Sequence, residues 1–140
     1  MDSIAFKTLK RPNSPNTYLL APEGLCEQAT PDMLSDIMSF STEAMFQAVL
    51  DIVAAEKNWA IEAQSQSQHL LHIVVTSRLM RFKDDVYVLI LPAEAESAPL
   101  NDHCHLAIYS SSRIGHSDLG ANAKRVKYFL ERLDKKKIKP

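Results

Sequence analysis

The sequence predicts an α+β domain: an antiparallel sheet of about four strands with two amphipathic helices on one face, in the order α-β-β-β-β-α. Three observations carry this. Two segments repeat apolar residues at helical spacing, the segments between them alternate with period two, and short turns separate the alternating runs. Adjacent strands joined by short loops pair antiparallel. Two amphipathic helices bury their stripes together by covering one face of such a sheet.

Residues 1–40 hold four of the seven prolines, Pro12, Pro15, Pro22 and Pro31. That density predicts an irregular, proline-rich lead-in that wraps the domain, because proline removes a donor and restricts its neighbour. The core is assigned to residues 41–134 and a basic tail to 135–140. Residues 42–57 place Phe46, Val49, Leu50 and Val53 at i, i+3, i+4 and i+7, which is one helical face. Ser41 or Thr42 is the natural cap, and Glu43 suits the first turn. Trp59–Ala63 alternates as a short strand, and Gln64–Gln68 reads as a hairpin loop.

His69–Met80 is a long β candidate, with Leu71, Ile73, Val75 and Leu79 on one parity. Lys83-Asp84-Asp85 reads as a turn, since Asp bonds its own backbone readily. Val86–Leu91 is apolar on both parities and therefore central. Pro92–Asp102 reads as a loop and His103–Ser112 as the last strand. Leu119, Ala123, Val126, Leu130 and Leu133 then form a helical stripe over 119–134, capped by Ser117 or Asp118.

Composition narrows the function classes. A chain of 140 residues is long enough for a core without staples. Sixteen Lys and Arg against 17 Asp and Glu give a net charge of -1, which argues against nucleic acid as a partner. Lys135–Lys137 and Lys139 form a local basic run that suits a helix C-terminus. Cys26 and Cys104 form no CxxC pair, so free thiols are expected. The N-terminus lacks the apolar core of a secretory signal, and no apolar run approaches ~18 residues. The expectation is a cytoplasmic protein with no membrane span, no cofactor and no metal.

The stretch Tyr109–Val126, with Ser110-Ser111-Ser112-Arg113-Ile114-Gly115-His116-Ser117-Asp118-Leu119-Gly120-Ala121-Asn122 and Arg125, resembles the signature of the DUF1499 family, a bacterial and plant family of unassigned molecular function. Phe82-Lys83-Asp84-Asp85-Val86 is similar to the family's F-x-D-D-V piece. Arg11-Pro12-Asn13-Ser14-Pro15-Asn16 resembles its N-terminal Pro-Asn segment, with Ser14 where many relatives carry cysteine. The resemblance spans residues 11 to 133. It implies a fold shared with the family and no particular activity.

The signature residues Asp84, Asp85, Arg113, Gly115, Ser117, Asp118, Gly120, Asn122 and Arg125 read first as structure. Gly115 and Gly120 bracket the turn into the last helix and permit positive φ. Ser117 and Asp118 offer oxygens to free helix N–H groups. One of Asp84 and Asp85 is expected to pair with Arg113 or Arg81. An anion site at the helix start, flanked by Arg113 and Arg125, is the functional alternative, with Asp118 opposing it. His116, Ser117 and Asp118 are consecutive and cannot form a catalytic triad. His72, His103 and His105 read as exposed strand histidines before they read as a metal or pH site.

Parity predicts that the sheet face away from the helices shows His72, Thr76, Arg78, Tyr87, Leu89, His105, Tyr109, Ser111 and Arg113. Aromatic, apolar and cationic groups together suit an anionic or amphipathic small molecule, or a protein partner. One reading is therefore a non-catalytic binding or interaction domain, with Arg78, Tyr87, Tyr109, Ser111 and Arg113 as contacts. The alternative is an enzyme of unassigned reaction at the strand-to-helix turn from Ser110 to Arg125, using Asp85, Arg113, Ser117 and Asp118. A third arrangement has the lead-in, through Tyr18, Leu19 and Leu20, simply cover the open face.

Overall fold

The alternating segments form one sheet, and both helical stripes lie on the same side of it. The computed structural model describes residues 5–94, 99–115 and 117–138. Its elements are β1 (Thr17–Ala21), β2 (Met33–Leu34), α1 (Thr42–Ala54), β3 (Trp59–Ser65), β4 (Leu70–Thr76), β5 (Lys83–Glu94), β6 (Pro99–Ser112) and α2 (Ala121–Ile138), after one 3-10 turn at Phe6–Thr8. The sheet has six strands in the order β2-β1-β6-β5-β4-β3. All neighbours pair antiparallel except β1 and β2, which pair in parallel. The sheet is therefore mixed and has six strands where about four antiparallel strands were expected.

The two additional strands come from the proline-rich lead-in. Pro15 and Pro22 bracket Thr17–Ala21 without interrupting it. Its ladder donors are free to pair with β6, from Thr17 opposite Ser111 to Leu20 opposite Ile108. Leu19 and Leu20 are 0% and 1% exposed and point to opposite faces. The expectation of an irregular wrap, with Tyr18, Leu19 and Leu20 as a cover, fails at this segment because a proline between strands costs no ladder bond.

Ser41 caps α1, its Oγ accepting from the Ala44 N–H at 3.1 Å. Met45, Phe46, Val49, Ile52 and Val53 of α1 meet Val126, Phe129 and Leu133 of α2 over Leu71, Ile73, Val75, Val86, Val88, Ile90, Leu106 and Ile108. α2 begins at Ala121, so Leu119 lies before the helix and is 89% exposed, not part of the stripe. Phe129 is the core residue that the spacing passed over. The basic run through Lys137 continues α2 as its C-terminal turn, where cations suit the helix end, and Lys136 reaches Asp51 of α1 at 3.8 Å.

Three other boundaries moved. β4 ends at Thr76, and the β4–β5 turn is closed by the Ser77 N–H on the Phe82 carbonyl at 2.8 Å. Lys83, Asp84 and Asp85 are consequently the first rungs of β5, because the carboxylates find partners across the sheet. β5 and β6 extend through most of the expected loop at 92–102, pairing out to Glu94 and Pro99. Among the described residues no helix is long and apolar enough to cross a membrane.

Because β1 is buried on both faces, Leu19→Ala and Leu20→Ala should each lower stability by about 2–4 kcal/mol in urea unfolding. A strand merely draped over the sheet would leave one of the two substitutions nearly neutral.

Candidate functional site

Alternation along β5 sends the two neighbouring aspartates to opposite faces. Val86, Val88 and Ile90 face the helices, so Asp84 does too, and Asp85 faces away. On β6, Ser110 and Ser112 face the helices, while Ser111 faces away. Each aspartate takes its own arginine. Arg125 Nη2 meets Asp84 Oδ2 at 2.9 Å under α2. Arg113 binds Asp85 with a fork of two N–H groups, Nε and Nη2, both at 2.9 Å, on the open face.

The helix side of this end is a polar joint beside a depression of about 300 Å³. Asn122, 0% exposed, is its centre. The two Nδ2 hydrogens are shared among the Asn16 carbonyl at 2.9 Å, Ser112 Oγ at 2.9 Å and Asp118 Oδ2 at 2.6 Å. Its Oδ1 accepts from Arg125 Nη1 at 2.8 Å and from the Ser110 hydroxyl. Asn16 in turn donates from Nδ2 to the Gly115 carbonyl at 2.8 Å. The joint thus ties the lead-in, β6, the turn and α2 together. Asp118 caps α2 through Gly120 N–H at 2.7 Å and Asn122 N–H at 3.2 Å. Burial alone would raise its pKa, but the bonds from Asn122 and Gly120 bring it below the usual carboxylate range. Gly115 and Gly120 sit at φ 87° and 82°. A Cβ at either would meet open space, so backbone conformation is what calls for glycine there.

The open side has a different character. Asp85 Oδ1 lies 2.7 Å from His72 Nε2. An ionised carboxylate only accepts, so Nε2 carries the hydrogen. Burial raises the Asp85 pKa, yet the bonds from Arg113 and His72 outweigh it and leave the carboxyl below its ordinary value. The His72 ring lies nearly parallel to Tyr87, 4.3 Å between centroids and 9° between planes. Burial, and then the Asp85 charge, raises the Tyr87 pKa, so the phenol keeps its proton.

The lead-in divides this face. Phe6 and Leu9 pack with Leu19, Ala21, Ala107 and Tyr109, and Leu25, Cys26 and Ala29 join the same cluster. Tyr109 is buried there, 5% exposed. The β3–β5 half keeps a cavity of about 190 Å³ lined by Ala63, Gln64, Ser65, Gln68, Leu70, His72 and Tyr87. Of the expected contacts, Tyr87 lines this cavity and Arg113 supports it through Asp85. Ser111 is half-buried opposite Asp85, and Tyr109 lies under the lead-in cluster. Arg78 belongs to the exposed β4–β5 turn, because β4 ends two residues earlier.

The three histidines do not converge. His105 pairs with Leu91, four rungs along β5 from the Tyr87 that faces His72, a separation of roughly 13 Å. Among the described residues no three His, Cys, Asp or Glu are placed to hold a metal ion. His116 lies outside the described residues. Cys26 and Cys104 are both free and belong to clusters on opposite faces; burial pushes Cys104 up to about 11.

Sequence reasoning passed over Asn16, the Arg125–Asp84 pair and the His72–Asp85 contact. The parity of Asp84 and Asp85 contained the signal for the last two, once both are read as strand residues. The cavity-lining Gln64 and Gln68 carried none. The family model described as a protein of unknown function, DUF1499, matches residues 9–133. No curated protein and no solved structure matches the chain.

Removing the Asn122 amide takes one partner at once from Ser110, Ser112, the Asn16 carbonyl and Arg125. Asn122→Ala should therefore cost about 2–4 kcal/mol, read as a fall in urea midpoint. Asp85 has a depressed folded pKa, so its contribution is present above its unfolded value, ~3.9, and is lost as pH falls through the folded one. Between pH 5 and pH 2 the wild type should lose stability more steeply than Asp85→Asn, measured by urea midpoints at each pH.

Proposed function

The chain belongs to the DUF1499 family, proteins of unknown function, and we propose that it is a small-ligand-binding domain whose site is the open-face cavity beside the His72–Tyr87 stack. One observation carries the reading. The lead-in packs over one part of the open face and leaves a cavity beside it, with Leu70 and Tyr87 shared between the packed cluster and the cavity wall and His72 held by Asp85. A protein interior fills such space with side chains.

The lining selects the ligand class. Leu70 and the Tyr87 ring supply apolar and aromatic surface. Gln64, Ser65 and Gln68 supply amide and hydroxyl groups at the rim. At about 190 Å³ the space is smaller than ordinary drug-sized pockets of ~300–1,000 Å³. The occupant is a compact amphipathic molecule with one flat apolar face. Arg113 does not hold an anion directly, since its fork is spent on Asp85. Its part is to fix Asp85, which fixes His72, on which Tyr87 stacks.

The strand-to-helix turn supports the alternative, an enzyme, less well. Asp84, Asp118, Asn122, Ser110 and Arg125 satisfy one another there. Their arrangement leaves no nucleophile beside a base in the sense that covalent catalysis needs.

Ala63 sits opposite His72 and lines the cavity from an edge strand. Ala63→Phe should fill the cavity and keep the fold. Compact amphipathic compounds that raise the Tm of the wild type in a thermal-shift screen should lose that effect in Ala63→Phe. Stabilisation that survives the substitution, or a screen in which no such compound stabilises the wild type, would overturn the proposal.

A further inference from the structure

A second surface lies at the end of the sheet where the β4–β5 turn and the β6–α2 connection meet. The turn reads Ser77-Arg78-Leu79-Met80-Arg81-Phe82-Lys83, with cations and large apolar residues interleaved. Leu79 is 94% exposed, Met80 65% and Phe82 43%. From the β6–α2 connection come Ile114 at 56% and Leu119 at 89%. Phe82, Ile114 and Leu119 line one depression of about 300 Å³, whose other wall is the paired Asp84 and Arg125 with Asp118, so the two loops form a single patch. Large apolar side chains this exposed, and grouped, mark an interaction surface.

The charges around the patch indicate what covers it. Arg78, Arg81 and Lys83 are exposed, and among the described residues none of them takes part in an ion pair. The acids nearby are drawn inward: Asp84 to Arg125, Asp85 to Arg113 and His72, Asp118 to the start of α2. The tip therefore presents uncompensated positive charge beside protruding apolar groups, in a protein whose overall charge is -1. A protein partner's groove would call for a fitted apolar face. Aliphatic side chains at the tips of turns, ringed by cations, match a fluid apolar layer beneath a negative one.

We infer that this end of the molecule docks on the surface of an anionic lipid bilayer. Leu79, Met80 and Leu119 enter the boundary between headgroups and acyl chains, and Arg78, Arg81 and Lys83 meet the lipid phosphates. Two weak signals, apolar insertion and basic attraction, combine to give reversible attachment. The His72–Tyr87 cavity is on the open face and not in this patch, so the inference stands apart from the ligand proposal.

Co-sedimentation with phosphatidylcholine vesicles, with and without 30% phosphatidylserine, tests it. The full chain should bind the anionic vesicles at least about tenfold better than the neutral ones, and binding should fall as salt rises. Leu79→Ser with Met80→Ser, and separately Arg78→Glu with Arg81→Glu, should each weaken binding at least about tenfold at unchanged Tm, because these side chains are exposed. Equal sedimentation with neutral and anionic vesicles, binding that both double variants retain, or a concentration-dependent dimer that Leu79→Ser/Met80→Ser dissolves in place of vesicle binding would each overturn it.

Discussion

Two adjacent carboxylates, each locked to an arginine on its own face of the sheet, set the polar geometry of this protein. Asp84 and Asp85 are consecutive, so strand pleating must separate them. Below the sheet Asp84 holds Arg125, which reaches Ser110 and Asn122. Above it Asp85 holds Arg113 and His72. Two arginines on one face would compete for the same acids. On opposite faces they act independently, one as a joint and one as a platform.

The joint has consequences for the whole fold. Asn122 contacts the lead-in through the Asn16 carbonyl, β6 through two serines and the turn through Asp118. Segments separated by more than 100 residues are thereby fixed to one amide. Every group that it gathers is satisfied, which is the condition under which a buried polar cluster specifies a structure. The platform inherits this rigidity, because β5 and β6 carry both clusters. A cavity resting on fixed strands can select a ligand by shape at little ordering cost.

The sheet, both helices and their shared face were legible because hydrophobic period and side-chain parity are local properties. Phe46, Val49, Val53, Val126 and Leu133 report helix faces within a few residues of themselves. Parity likewise placed Tyr87, Tyr109, Ser111 and Arg113 on the face away from the helices. What could not be read was long-range pairing. Thr17–Ala21 looked like a lead-in since its ladder partner, β6, lies some 90 residues later. Asp84 and Asp85 looked like turn residues because turn chemistry is local, whereas the arginines that make them strand residues arrive about 30 to 40 residues downstream. Whether Tyr109 faced solvent or the lead-in depended on where Phe6 and Leu9 came to rest, and nothing near Tyr109 in the chain records that.

The hydrogen bond from the His72 ring to the Asp85 carboxylate carries the order of β5 and Arg113 to the cavity wall. Long-range nitrogen–proton NMR of the imidazole at pH 8 reads it without perturbing the protein. A hydrogen bonded to His72 Nε2 is the expected result. A bare Nε2 on a neutral ring protonated only at Nδ1 would contradict the account.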